Sequence, residues 1–155
     1  MSTLYLEQSS TKNERPMLKG VTEIVDAIGK DHFCDSLSQF CEEAVQAAEV
    51  ALFYFPDNDD PQCLSTDVRV HEAVIEYVEG AYRQDANLQG LCSRLNDKNN
   101  FAMSSLHMDQ IRDAGYMSKF YKRTGVEKKL SLVAQIESGF VYGNFYRRPS
   151  QPDFD

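Results

Sequence analysis

The chain has 155 residues, 42% of them hydrophobic and 26% charged, which is one domain's length with enough apolar surface to offset the entropy of ordering. Its 24 Asp and Glu against 16 Lys and Arg give a formal charge of −8. A net anion gains nothing by approaching a phosphate backbone or an anionic lipid face, so neither is expected to bind this chain directly.

Residues 1–17 are polar and read as a flexible N-terminal arm, with the folded domain covering 18–155. Val21, Ile24, Val25 and Ile28 recur at helical spacing, and Gly29 suits a helix C-terminus. A second helix is expected over about 32–48, carried by Phe33, Leu37, Phe40, Cys41 and Ala44, with Asp31 as its N-cap. The period then changes. Residues 49–55 form a compact β-branched and aromatic run closed by Pro56-Asp-Asn-Asp-Asp-Pro61, which predicts a strand and a turn, with a weaker partner strand over 62–67.

Val70, Ala73, Val74, Tyr77 and Ala81 predict a third helix that breaks between Gly80 and Asp85. A short helix over 86–95, a polar loop and an extended segment over 101–106 follow. Residues 109–121 again read as helix, ended by Gly125. Leu130, Leu132, Ala134 and Ile136 alternate with Ser131, Val133 and Gln135, and a second alternating run starts after Glu137-Ser-Gly139. Period two on both sides of a Gly-containing turn is an antiparallel hairpin. The fold class is α+β: an antiparallel sheet with helices packed across one face, which leaves a space for a small-molecule pocket.

The chemistry-bearing residues are sparse. His32, His71, His107 and the cysteines 34, 41, 63 and 92 show no zinc-ligand spacing, and the acidic loop at 57–60 lacks the Gly and distal Glu of a calcium site. No metal and no other cofactor is expected. There is no nucleophile-elbow or phosphate-loop pattern, so the chain is not expected to be an enzyme. The N-terminus has no secretory apolar core and no run reaches a membrane span, which predicts a cytoplasmic protein with reduced cysteines.

Aromatic residues are the remaining signal: 8 Tyr and 9 Phe, with no Trp. Phe53, Phe55, Tyr77, Tyr82, Tyr116, Phe120, Tyr121 and Tyr142 fall on segments expected to border the helix–sheet space. Tyr offers an apolar body and one hydrogen-bonding tip, which suits a small, partly polar ligand.

Three stretches carry a resemblance. Tyr77-Val-Glu-Gly-Ala-Tyr-Arg-Gln-Asp85 is similar to a Tyr-x-x-Gly-x-Tyr-x-x-Asp-Pro-Phe-Tyr segment, with Ala86-Asn-Leu88 in place of its Pro-Phe-Tyr end. Tyr116-Met-Ser-Lys-Phe-Tyr-Lys-Arg-Thr-Gly125 is similar to an aromatic run ending in Thr-Gly. The hairpin ends in Phe145-Tyr-Arg-Arg-Pro149, followed by Phe154. In this order the three resemble the N-terminal sensory domain of LuxR-type transcriptional regulators. The resemblance implies a GAF/PAS-like sensor over about residues 20–155, a small-molecule ligand, a homodimer, and DNA contact only through a helix-turn-helix module placed after residue 155. The acyl-homoserine-lactone branch of that family uses Trp in its pocket, and this chain has none. A ligand of another class is therefore expected, with a ligand-free dimerisation module as the alternative.

Overall fold

The computed structural model describes residues 14–66, 71–110 and 122–154, the side chains of 14–18 excepted. Its helices are α1 (Glu14–Ala27), α2 (Phe33–Val45), α3 (His71–Glu79) and α4 (Ala86–Cys92), the last two joined by a 3-10 turn, Ala81–Gln84. Its strands are β1 (Glu49–Pro56), β2 (Gln62–Thr66), β3 (Phe101–His107), β4 (Lys128–Ile136) and β5 (Gly139–Arg147). They form one antiparallel sheet in the order β2-β1-β5-β4-β3. The α+β class is as the alternation patterns require, and both hairpins, β1–β2 and β4–β5, form as expected.

Two local expectations change. Helix α1 starts at Glu14, inside the expected arm, with Pro16 in its first turn where a missing N–H costs nothing. Its apolar stripe does not face the core: Val21, Val25 and Ile28 are exposed, and Ala27 is buried instead. Helix α2 takes His32 rather than Asp31 as its N-cap, with no side-chain hydrogen bond, and is ended by Gln46 in a left-handed conformation. The expected helix at 109–121 lies, beyond a short 3-10 turn at Met108–Gln110, outside the described residues.

The larger correction concerns the layers. Helices cover both faces of the sheet, because both residue sets of the central strands are apolar enough to need cover. Ala51, Phe53, Phe55, Val133, Tyr142 and Tyr146 pack with Ala73, Val74 and Tyr77 of α3 and Leu88 and Leu91 of α4. The alternate residues Val50, Leu52 and Phe145 pack under Leu37, Cys41 and Val45 of α2. Helix α1 lies on α2.

On the α2 side, the segment after β5 is tied down. The Arg147 guanidinium donates to the carbonyls of Val45 (2.6 Å), Gln46 (3.3 Å), Pro152 (3.1 Å) and Asp153, and lies 4.1 Å from the centroid of the Phe154 ring. Lys128 donates to the Gln151 carbonyl and pairs with Asp153 at 3.2 Å.

Candidate functional site

The α3–α4 face of the sheet gathers the aromatic residues. Register brings them together: β1 and β5 pair Phe53 with Tyr142 and Phe55 with Phe140, and paired residues in an antiparallel ladder point to the same side. Phe53 lies 4.9 Å from Tyr77 and 6.2 Å from Tyr142, and Tyr77 lies 6.5 Å from Tyr142. Phe55 stacks on Phe140 at 4.8 Å and meets the edge of Tyr82 at 5.4 Å. Of the eight expected site residues, Phe53, Phe55, Tyr77, Tyr82 and Tyr142 therefore share one cluster. Tyr116, Phe120 and Tyr121 lie outside the described residues.

Beneath the rings sits a polar network that the aromatic pattern gave no reason to expect. Asp85 closes the 3-10 turn and caps α4: its Oδ1 accepts the backbone N–H groups of Asn87 (3.0 Å) and Leu88 (3.1 Å). Its Oδ2 accepts the Tyr77 hydroxyl at 2.7 Å and the Tyr142 hydroxyl at 3.2 Å. The Lys129 ammonium stands 3.9 Å from the same oxygen and donates to the Tyr142 hydroxyl at 3.1 Å. The side chains of Asp85 and Lys129 are 1% and 2% exposed, so this is an ion pair removed from water.

The network continues along the sheet. Asn87 donates to Ser131 (3.0 Å) and Tyr142 (3.4 Å) and accepts from Ser104 (2.7 Å); Ser131 donates to Asn144 (2.7 Å). Strand alternation explains it. Lys129, Ser131 and Val133 of β4 face α3–α4 and are almost fully buried, while Leu130 and Leu132 face α2 and are only half-buried.

The electrostatics are consistent. Burial alone raises the Asp85 carboxyl, but the Lys129 charge and the hydrogen bonds from Tyr77, Leu88 and Tyr142 outweigh it and hold the group below the ordinary carboxylate range. Burial pushes the Tyr77 and Tyr142 phenols up, and the neighbouring Asp85 charge pushes them further. Both remain protonated at neutral pH and act as donors to the carboxylate.

The other candidates lead nowhere comparable. His107 meets Asp153 at 3.3 Å, but this contact belongs to the tied-down tail. All four cysteines are free thiols, and burial raises those of Cys41, Cys63 and Cys92, which disfavours the reactive thiolate. Among the described residues no three His, Cys, Asp or Glu converge as metal ligands, and no helix is long and apolar enough to cross a membrane.

No protein-family model matches the chain, and no curated protein matches it in sequence. Solved structures do. The VqsR LBD domain from Pseudomonas aeruginosa superposes with a TM-score of 0.61 at 16% identity, covering 88% of this chain and 82% of that one. CepR2 of Burkholderia cenocepacia, an N-acylhomoserine lactone dependent LuxR family transcription factor, superposes with a TM-score of 0.61 at 10% identity, covering 89% and 81%. The identities are too low to carry more than architecture. The chain has the fold of the ligand-binding domains of LuxR-type regulators.

Proposed function

We propose that this chain is a small-molecule-sensing regulatory domain of the LuxR type, with its ligand held between α3–α4 and the sheet. The observation that carries this reading is the buried Asp85 carboxylate, ringed by aromatic side chains where α3 and α4 meet the sheet. A fold stabilised by packing alone has no use for an ion pair there, since apolar residues of similar volume do as well or better. Phe53, Phe55, Tyr77, Tyr82 and Tyr142 form the expected contact set, to which the sequence adds Tyr116, Phe120 and Tyr121. A bound molecule acts only through different affinities for two conformations of the domain.

The ligand is not an acyl-homoserine lactone, in contrast to what CepR2 depends on. One feature supports this: the chain has no Trp to wall the site. The domain catalyses nothing, works in the cytoplasm as a homodimer, and reaches DNA only through a separate helix-turn-helix module. A thermal-shift screen of metabolite fractions tests the reading. A fraction that raises the melting temperature, with an effect lost on Phe53→Ala, supports it; no stabilisation by any fraction or by cell extract overturns it.

A second reading, a ligand-free dimerisation module, is favoured by one observation. The rings already touch one another, and Val21 and Val25 of α1, with Ile28 just after it, stand exposed. Light scattering that reports a dimer, together with a silent screen, selects that reading.

A further inference from the structure

The sheet has two edges, and the chain protects only one of them. β2 is five residues long, its register with β1 shifts between Leu52 and Phe53, and α2 and α3 both pack against it. β3 is seven residues long and pairs with β4 without a break in register. Its sequence, Phe101-Ala-Met-Ser-Ser-Leu-His107, holds no Pro, Lys, Arg, Asp or Glu. Those residues, with bulges, are what keeps an edge strand from pairing with another chain.

The hydrogen bonds set the phase of the open edge. Gln135 N–H donates to the Asn100 carbonyl at 2.7 Å and Met108 N–H to that of Glu127 at 2.9 Å, so the even-numbered residues of β3 turn their backbone groups to β4. Phe101, Met103, Ser105 and His107 turn theirs outward. The Met103 carbonyl accepts from Arg94 at 2.9 Å and keeps a second lone pair. The His107 N–H is taken by Gln110 Oε1 at 2.9 Å, which closes the open stretch at that end. Among the described residues, nothing bonds the outward groups of Phe101 and Ser105 or the Met103 N–H. The open stretch is therefore centred on Met103. The side chains of Phe101 and Met103 are 57% and 49% exposed. They stand on the α2 side of the sheet, opposite Ala134 and Leu132, but outside the cluster that α2 covers.

We infer that β3 is the contact strand of a homodimer: two copies pair their Phe101–Ser105 edges antiparallel about a two-fold axis at Met103. Phe101 then exchanges both backbone bonds with the partner's Ser105, and Met103 with the partner's Met103, so one alignment gives every open donor an acceptor. The occupant is a second copy because the open stretch is its own complement. It is also free of charge, so a chain of net charge −8 meets itself there without local repulsion. The half-exposed apolar faces join side by side, and the two sheets become one. A two-fold contact closes on itself and leaves only the protected β2 edges outside. A strand of this length takes on the order of 500 Å² from each copy, the low end for a specific interface. The dimer is accordingly reversible, half-formed at about 10–100 µM. This pairing rests on the homodimer of the proposed function, gives it a surface, and does not depend on a ligand.

Sedimentation velocity of the 155-residue chain across that concentration range tests it. The chain is expected to pass from monomer to dimer and no further. Ser105→Pro removes only an outward N–H, so β3 keeps its bonds to β4. S105P is expected to melt within about 2 °C of the parent and to weaken the dimer at least roughly tenfold. Met103→Lys and Met103→Glu each set like charges face to face and are expected to be monomeric. Mixing M103K with M103E is expected to restore a dimer, because the axis places one beside the other. Val25→Lys on α1 is expected to leave the dimer unchanged. If S105P does not fold, the charge-swapped mixture decides. The β3 pairing is overturned by S105P or M103K dimerising like the parent, by a mixture that stays monomeric, or by a dimer lost with V25K. A parent that is monomeric throughout overturns the homodimer as well, whereas a dimer that survives M103K overturns this surface alone; the metabolite screen reads the ligand separately.

Discussion

Asp85→Asn isolates the charge at the centre of the network while keeping its shape. Asn caps a helix about as well as Asp, so the Asn87 and Leu88 N–H groups keep an acceptor and α4 keeps its start. What changes is that Lys129, 2% exposed, loses the anion that offsets its burial. Leaving one member of a buried pair costs about 3–5 kcal/mol. With the amide oxygen on the cap, an NH2 group takes the Oδ2 place, so the Tyr77 and Tyr142 hydroxyls lose their acceptor, at least roughly 1 kcal/mol each, a cost that overlaps the first because all four groups share one network. The expected loss is therefore about 3–5 kcal/mol, a large part of the roughly 5–15 kcal/mol available to a domain. Urea denaturation at pH 7 followed by circular dichroism measures it. The pH dependence supplies a second readout with a defined sign. The folded-state carboxyl is held below its ordinary range, so its stabilisation is full above the unfolded value near 4 and disappears as pH falls through the lowered folded value. D85N lacks that contribution, so the stability difference is constant near neutrality and shrinks below pH ~4. A D85N within about 1 kcal/mol of the parent at pH 7, or a difference that grows in acid, refutes the reasoning.

Phe53→Ala empties a ring that is 2% exposed and packed on Tyr77, and is expected to cost about 3–5 kcal/mol in the same assay; a loss below about 1 kcal/mol would mean that the cluster collapses freely. Gly139→Ala places a Cβ 2.1 Å from the Phe55 carbonyl oxygen at a φ of +143°, so the β1–β5 ladder must shift, and a loss of at least ~2 kcal/mol is expected by thermal melting. An unchanged melting temperature contradicts that geometry. Arg147→Met keeps the apolar stem but removes four carbonyl contacts. Hydrogen exchange is expected to rise at residues 148–154 and at the end of α2, and exchange that rises at neither shows that the tail is held otherwise.

The strands were legible from two signals: 49–55 is an unbroken β-branched and aromatic run closed by Pro56, and the hairpin after Lys128 alternates with period two. The aromatic half of the site was legible for the same reason: Phe53, Phe55 and Tyr142 stand two apart or directly opposite on paired strands. The polar half was not. On β4 the apolar set Leu130, Leu132, Ala134 and Ile136 reads as the inward one, yet Lys129 and Ser131 are the more buried. Alternation says that two sets face opposite ways; it does not say which side holds the deeper layer. A lysine within such a run was the available signal, since Lys is almost never fully buried without a partner. Asp85 stood out only as a motif position, and its role depends on a contact 44 residues away along the chain, which spacing cannot reveal. The exposed stripe of α1 shows a related limit: the period gives an apolar side but not what that side meets.

Lys128 and Lys129 are consecutive on β4, so their side chains leave the strand in opposite directions. One ends on the Asp85 carboxylate, the other on Gln151 and Asp153 of the C-terminal segment. Neighbouring residues of one strand thus anchor both layers: the same peptide unit sends one ammonium into the buried pair under α3–α4 and the other onto the C-terminal segment on the α2 side.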